Sequence, residues 1–162
     1  MSESIMRILT IMLCVICVSN AHGHPFEAGQ TRVSAGGGGG VGGWSLGVAA
    51  GYFMAEGLEV GLGSTYIRSD DLSLVQVTGS TTYVFLPTES WNPYTGGFAR
   101  HWFVADGDVE PKSSVGVRGG FYSRSGHNLL FGLGAVYEVI VDCEPADECT
   151  STYPEFSLSL IF

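Results

Sequence analysis

Apolar and polar residues alternate with a period of two along most of the chain after residue 24. In one such segment, Leu58, Val60, Leu62 and Tyr66 fall on one face, whereas Glu59 falls on the other. Alternation of this kind predicts a β-strand whose two faces meet different surroundings. No part of the sequence after residue 24 shows the 3.6-residue period of an amphipathic helix. The pattern therefore predicts an all-β body.

Turn residues divide the alternating segments into eight predicted strands. Each strand has about ten residues, the length that crosses a bilayer when the strand is tilted by about 45°. Eight strands form the smallest usual bacterial barrel. We therefore predict an eight-stranded antiparallel up-and-down transmembrane β-barrel over residues 24–162. The predicted strands span residues 26–36, 44–54, 57–68, 72–86, 93–105, 113–123, 127–141 and 152–162.

The two faces of the predicted strands differ in chemistry. One face is apolar and nearly free of charge, as a lipid-facing surface requires, whereas the other holds glycine, serine, threonine and a few charged residues. Because an eight-stranded barrel has room for little besides side chains, we expect these charges to form ion pairs in the lumen. A path for water or ions is the alternative. The predicted lumen charges are Arg32, Glu59, Arg118, Glu138 and Glu155.

Aromatic residues cluster near the ends of the predicted strands, where a transmembrane barrel carries aromatic girdles. The rival explanation is core packing in a soluble barrel. The girdle predicted near the periplasmic rim is Tyr52, Phe53, Tyr83, Phe85, Trp91 and Tyr94, and that near the other rim is Tyr66, Trp102, Phe103 and Tyr137. Seven glycines among residues 36–43 predict an outer loop between the first two strands, or a wall that bends there.

Residues 1–23 have the pattern of a cleavable signal peptide. Arg7 precedes the apolar run Ile8–Val18, and small residues follow it, with Ala21 and Gly23 as the candidate cleavage positions. The run is shorter than the roughly 20 residues that a transmembrane helix needs. A buried N-terminal helix is the alternative. We predict that the chain is exported and that residue 24 begins the barrel.

Cys143 and Cys149 flank a short acidic segment and are the two cysteines that lie beyond the predicted signal peptide. Two close cysteines in an exported chain favour a disulfide. A metal-binding pair is the rival interpretation, but no histidine is near them in the sequence. We therefore predict a disulfide between Cys143 and Cys149.

The charge balance excludes one class of partner. Seven basic residues against sixteen acidic residues give a formal net charge of −9, which argues against nucleic-acid binding. The acidic residues concentrate in the predicted connections 69–72, 106–112 and 142–151, which are the places where a rigid barrel would carry recognition. The residue pattern of a calcium-binding loop is missing. We predict a solvated acidic surface with no metal site and no cofactor.

The last predicted strand ends the sequence with alternating apolar residues. It is similar to the insertion signal of bacterial outer-membrane proteins, and the segment 45–68 resembles the first tight hairpin of the small outer-membrane β-barrel family. The resemblance covers residues 26–162 and implies an OmpA- or OmpX-like barrel without a periplasmic domain. It further implies an outer-membrane location, contact with outer-membrane lipid and lipopolysaccharide, and handling by the barrel-assembly machinery. The residues of the implied insertion signal are Phe156, Leu158, Leu160 and Phe162.

His101 is the candidate for catalysis, because it lies late in the fifth predicted strand, near the predicted outer leaflet. A serine hydrolase needs a serine within reach of a histidine and a carboxylate that orients the histidine. The His-x-Ser motif of the lipid A deacylase family is absent, since Trp102 and Phe103 follow His101. A serine from another strand stays open. We expect a histidine that is packed or faces the lumen, and predict no catalytic residue.

Three functional hypotheses follow. The first is a non-enzymatic outer-membrane barrel with a role in envelope structure or in surface contact through its acidic loops. The second is a lipid A-modifying outer-membrane enzyme that depends on His101. The third is a soluble exported β-barrel that binds a small apolar ligand. The sequence does not identify a surface ligand.

Overall fold

The structure is a computed structural model that describes residues 25–40, 43–69, 72–85, 91–106, 111–125, 128–141, 143 and 149–162. The predicted signal peptide, residues 1–23, lies outside the described residues, as do His24 and His127. None of the residues that the structure describes belongs to a helix able to cross a bilayer.

Eight strands form one closed barrel in which each strand pairs antiparallel with its neighbours in the chain and the last pairs with the first. The fold class predicted from the sequence is therefore confirmed. The strands are β1 Thr31–Gly40, β2 Gly43–Ala55, β3 Leu58–Ser69, β4 Leu72–Val84, β5 Trp91–Asp106, β6 Ser113–Ser125, β7 Leu129–Val141 and β8 Thr150–Ile161.

The first strand differs from its prediction at both ends. It begins at Thr31 rather than at residue 26, because residues 25–30 form a turn that folds beneath the barrel. It also continues through the glycine run to Gly40, which pairs with Gly43 at the start of β2. Most of the glycine run is thus barrel wall, and the interpretation as an outer loop is wrong for residues 36–40. Period-two alternation cannot mark a strand made of glycine, because glycine has no side chain to alternate.

The barrel has two unlike ends. At the end that we call the turn end, β1 begins, β8 ends, and Glu56–Gly57 joins β2 to β3 in a tight turn. At the opposite end, the loop end, residues 107–112 connect β5 to β6 and residues 142–149 connect β7 to β8. The other two loop-end connections, 41–42 and 70–71, have only two residues each. Most of the acidic residues predicted to form recognition loops lie in connections outside the described residues.

Large apolar side chains cover the outside of the barrel. Leu62 is 71% exposed, and it belongs to a belt of exposed residues that spans β2 to β8. Because the strand pleat alternates sides, Glu59, Arg118 and Glu138 of the same strands point inward. This arrangement is the reverse of a soluble globular fold. Members of the belt include Leu46, Val48, Val60, Val77, Val115, Val117, Phe131, Leu133, Phe156, Leu158 and Leu160.

An apolar cluster fills the turn end of the lumen. Phe53 is fully buried, and Phe26 packs against it with ring centroids 5.7 Å apart. Phe26 comes from the turn of residues 25–30 and adopts a φ of 80°, which is uncommon outside glycine. Its amide donates a 2.8 Å hydrogen bond to Oε1 of Gln30, which holds the turn in place. We call this cluster the plug; its members are Phe26, Phe53, Val84, Tyr94, Tyr122, Leu130 and Ile161.

Candidate functional site

A polar cavity of about 410 Å³ occupies the lumen between the plug and the loop end. Small side chains of the first three strands leave this half of the lumen unfilled, whereas aromatic side chains fill the other half. The expectation that side chains would fill the whole lumen is therefore wrong for this half. Three arginines and three glutamates line the cavity: Arg32, Arg100, Arg118, Glu59, Glu138 and Glu155.

The deepest ion pair joins β1 to β3. Arg32 Nη2 donates to Glu59 Oε1 at 3.0 Å, and Arg32 Nε lies 2.9 Å from Oε2. Both side chains are almost fully buried, with 6% and 4% exposed. Gly51, on the strand between them, makes this reach possible, because a Cβ at that position would lie 1.6 Å from Glu59 Oε1. Arg32 also donates a 2.8 Å hydrogen bond to the hydroxyl of Tyr122, a member of the plug.

A second ion pair joins β5 to β7. Arg100 Nη1 donates to Glu138 Oε2 at 2.9 Å, and the guanidinium lies over the ring of Phe98, 4.0 Å from its centroid. The hydroxyl of Tyr153 donates to the same carboxylate oxygen at 2.6 Å and accepts a hydrogen bond from Arg100. Ser114 donates to the other carboxylate oxygen. The charged groups of this cluster are thus neutralised by each other and ordered by two hydroxyls.

The third ion pair joins β6 to β8. Arg118 Nη1 donates to Glu155 Oε1 at 3.2 Å, and Nη2 donates to Thr82 Oγ1 at 2.7 Å. Glu155 is the most accessible of the three glutamates, with 25% of its side chain exposed. Each ion pair in the lumen therefore connects strands that are two apart, and the three pairs together carry no net charge.

The structure places all five predicted lumen charges inside the barrel, where each takes part in an ion pair. Sequence reasoning missed Arg100, which completes the pair with Glu138, and the tyrosines Tyr122 and Tyr153 that bind the guanidinium groups. The parity of Arg100 along β5 could have found it, since it shares a face with Tyr94 and Phe98.

Three aromatic residues assigned to the rim girdles point into the lumen instead. Phe53 and Tyr94 belong to the plug, and Trp102 lines the polar cavity. Phe53 follows the outward-facing Tyr52, and Trp102 lies between His101 and Phe103, so consecutive large side chains hid the parity of these two residues. The outward-facing aromatics agree with a girdle position: Tyr52, Tyr83, Phe85 and Trp91 toward the turn end, and Phe103 and Tyr137 toward the loop end.

His101 faces outward rather than into the lumen. Of the two placements expected from the sequence, packed or facing the lumen, the second is therefore wrong. Its Nδ1 lies 2.9 Å from Oγ of Ser113, the residue that pairs with it across the β5–β6 ladder. The ring of Phe103 packs edge-on against the imidazole at 4.7 Å. Within the described part of the chain, no carboxylate contacts the imidazole. The structure therefore brings together a histidine and a serine on the outer surface, without the third group of a hydrolytic triad.

The remaining site residues lie near the C-terminus. Cys143 and Cys149 are joined by a disulfide in the loop-end connection. Three residues of the predicted insertion signal share the outer face of β8, namely Phe156, Leu158 and Leu160, and the fourth, Phe162, directly follows the strand. Among the described residues, no three His, Cys, Asp or Glu side chains are grouped so that they could hold a metal ion.

No protein-family model matches the chain, and no curated protein matches it in sequence. Solved β-barrel structures do match in fold. The N-terminal β-barrel domain of Pseudomonas aeruginosa OprF gives a TM-score of 0.64 at 14% sequence identity, covering 83% of this chain and 98% of that domain. Neisserial surface protein A gives a TM-score of 0.56 at 19% identity, covering 82% of this chain and 93% of its own.

A de novo designed transmembrane β-barrel gives a TM-score of 0.52 at 15% identity, covering 84% of this chain and 98% of the design. At such low identities the likeness is one of fold. It agrees with the small, OmpA- or OmpX-like barrel that the sequence predicts, because the natural matches are outer-membrane barrels with the same overall architecture.

Proposed function

We propose that the protein is an integral outer-membrane β-barrel, non-enzymatic, with a role in envelope structure or in surface contact. The single observation that carries the proposal is the apolar belt around a barrel whose six ion-paired charges point inward. In water such a belt would be a very large exposed apolar surface, whereas in lipid it is the required one. Closure of the sheet satisfies the other requirement, since it leaves most backbone groups paired.

The proposed partners follow from this setting. Outer-membrane lipid and lipopolysaccharide surround the belt, and the barrel-assembly machinery recognises the alternate apolar residues of β8. We propose that the turn end faces the periplasm and that the loop end faces outward, since outer loops are usually the longer ones. The acidic residues of 106–112 and 142–151 then carry the surface contact, and residues 1–23 serve as the signal peptide.

The first test is the location and heat stability of the barrel. The full chain is expressed with residues 1–23, the membranes are fractionated, and boiled and unboiled samples are compared by SDS gel electrophoresis. We expect the protein in the outer-membrane fraction, with a faster band before boiling, because a closed barrel resists the detergent until it is heated. Recovery as a soluble periplasmic protein with no band shift would overturn the proposal and favour the soluble ligand-binding barrel.

The envelope role is tested by deleting the gene and measuring sensitivity to detergents and hydrophobic dyes. We expect greater sensitivity, restored by the wild-type gene. A variant with Asp142, Glu144, Asp147 and Glu148 replaced by their amides separates the two roles. Failure of this variant to restore resistance, with a normal heat shift, would assign the role to the acidic connection. Full restoration would show that these four acidic residues are not needed for it.

The contact between His101 and Ser113 favours a second candidate function, hydrolysis of an ester in the outer leaflet. The pair faces the lipid beside Phe103, so an acyl ester at the interface could reach it. The test compares lipid A and phospholipid masses in strains that carry wild-type protein, His101→Ala or Ser113→Ala. The non-enzymatic proposal expects identical lipid profiles in all three. A deacylated lipid that appears only with the wild type would make the protein an enzyme.

A further inference from the structure

The barrel closes incompletely between its first and last strands. β1 pairs with β8 only over Thr31–Gly36, opposite Ser157–Phe162. The other neighbouring strands pair over ten residues or more, and β1 itself pairs with β2 through Gly40. Among the described residues, Gly37–Gly40 of β1 and Thr150–Phe156 of β8 therefore have no register partner on each other's strand. We call this unpaired region, on the loop-end side of Gly36 and Ser157, the seam.

The residues on both sides of the seam are of types that leave a gap between two strands. The β1 side is a run of glycines, which offers no side chain to cover it. The β8 side contains Pro154, which cannot donate a ladder hydrogen bond and is therefore typical of edge strands. Closure ends at Gly36, where a Cβ would lie 2.9 Å from the carbonyl oxygen of Phe156. The two strands thus meet tightly at one point and lack pairing beyond it.

Two cavities meet at the seam, one lined by charged side chains and the other almost wholly apolar. The polar cavity of the lumen lies on its inner side, and Glu155 and Tyr153 reach into that cavity from the unpaired part of β8. An apolar groove of about 500 Å³ lies on the outer face and is lined by side chains such as Phe131, Leu133 and Leu158. Both cavities are lined by the same five residues of β1 and β8: Ala35, Gly36, Gly37, Phe156 and Ser157.

An unpaired strand edge has a further requirement in a membrane. Hydrocarbon supplies no hydrogen-bond partners, so the free N–H and C=O groups of the seam need polar atoms beside them. Water in the lumen can supply some, and a polar headgroup lying in the seam can supply the rest. An acyl chain attached to that headgroup would lie outside, on the apolar groove. The inner side of the seam thus suits the headgroup of an amphiphile, and the outer side suits its acyl chain.

The charges of the lumen select the kind of headgroup. Three guanidinium groups and three carboxylates line the polar cavity, and all six are paired with each other. A headgroup with a net charge would find no surplus of opposite charge, whereas a dipolar headgroup can approach both members of a pair. The volumes of about 410 Å³ and 500 Å³ fall in the range of small-ligand sites.

We infer that the seam between β1 and β8 is a lateral binding site for a single-chain amphiphile with a zwitterionic headgroup, which enters from the surrounding leaflet. The headgroup occupies the polar cavity beside Glu155, and the acyl chain lies along the groove of Phe156 and Leu158. This inference rests on the membrane setting proposed above.

The test uses the full barrel, purified in a nonionic detergent and checked for its heat-dependent band shift. Native mass spectrometry then measures the binding of lysophosphatidylethanolamine. We expect one lipid per barrel, at least tenfold weaker binding of the anionic lysophosphatidylglycerol, and at least tenfold weaker binding of glycerophosphoethanolamine, which has no acyl chain. Equal binding of the two lysolipids would overturn the inference. A barrel that forms dimers without lipid would replace it with strand pairing between two copies.

A matched pair of variants locates the site. Ala35→Phe adds a large side chain at a residue shared by both cavities, on the outer face where lipid tolerates it. Ala99→Phe makes the same change on the outer face of β5, at a residue that lines neither cavity. We expect Ala35→Phe to weaken lipid binding at least tenfold and Ala99→Phe to leave it unchanged. Equal binding by both variants would overturn the inference. Absence of the band shift or of outer-membrane location would instead count against the proposed function.

Discussion

The same eight strands surround both halves of the lumen, but the inward-facing side chains of the two halves differ. At the turn end, rings and aliphatic side chains pack into the plug, with Tyr94 and Tyr122 stacked at 4.4 Å between centroids. At the loop end, charged side chains stand around a cavity of about 410 Å³. The closed sheet is common to both halves, so the difference comes from the size and the polarity of the side chains. The plug supplies core packing, whereas the cavity leaves space for function.

Tyr122 marks the border between the halves. Its ring packs against Phe26 and Tyr94, and its hydroxyl accepts a hydrogen bond from Arg32. Arg32 and Glu59 therefore lie directly against the plug, whose surface forms the apolar floor of the cavity. An ion pair in this place is costly to desolvate but also costly to break, because water has little access to a group left alone. The pairs nearer the loop end should be less sensitive. We therefore expect the loss of stability on breaking an ion pair to decrease from the floor to the loop end.

The largest expected effect comes from breaking the ion pair on the floor. Arg32→Met leaves the Glu59 carboxylate buried without its cation, and we expect the free energy of unfolding to fall by about 3–5 kcal/mol. Urea unfolding in lipid or detergent, followed by gel mobility, measures the change. The double variant Arg32→Met with Glu59→Leu should recover most of the loss, since it removes both charges. A loss of less than about 1 kcal/mol in the single variant would show that water reaches the floor.

The next effect tests the plug. Phe26→Ala removes a buried ring that packs on Phe53 and Tyr122, and we expect a loss of about 3 kcal/mol in the same unfolding measurement. Phe26→Leu is the matched control, because it keeps most of the apolar volume and should lose less than half as much. If both variants unfold like the wild type, the turn of residues 25–30 contributes nothing to the core.

A smaller effect tests the close approach of the Glu59 carboxylate to Gly51 in the barrel wall. Gly51→Ala places a Cβ where the Glu59 carboxylate now lies, so that carboxylate must move away from Arg32. We expect a loss of about 2 kcal/mol, in the range of other overpacked sites. Gly79→Ala on β4 is the control, since the added Cβ would meet only the end of the Leu62 side chain, at 3.9 Å. Equal stability of the two variants would mean that Glu59 has room to move.

The number of strands and the orientation of most side chains could be predicted because the pleat ties position to face. Leu58 to Tyr66 illustrates this, since its alternation gave both the strand and its outer face. Two features escaped for physical reasons. Phe26 enters the core from a turn, where side chains do not alternate between two faces. Its neighbours in the sequence do not indicate that this turn packs against the end of the barrel. Phe53 lies between Tyr52 and Met54, so an unbroken apolar run conceals which residue faces inward.

The sequence could not show which lumen charges pair with each other, and it gave no sign of the seam. Arg100 and Glu138 are on strands two apart, and their meeting depends on the diameter and stagger of the barrel rather than on spacing in the chain. The same is true of the register in which β1 pairs with β8, because these strands are at opposite ends of the sequence. The glycine run and Pro154 were visible, but only the register shows that they face each other across unpaired strands.

The smallest expected effect tests the gradient from the floor to the loop end. Glu155→Gln keeps the size of the side chain and removes its charge, as Glu59→Gln does on the floor. Glu155 is 25% exposed, so water can solvate Arg118 when the carboxylate is gone, and we expect a loss of about 1 kcal/mol or less. Glu59→Gln should lose clearly more, because only 4% of that side chain is exposed. Equal losses in the two variants would mean that the lumen is equally dry throughout, and that the division between plug and cavity has no consequence for the charges.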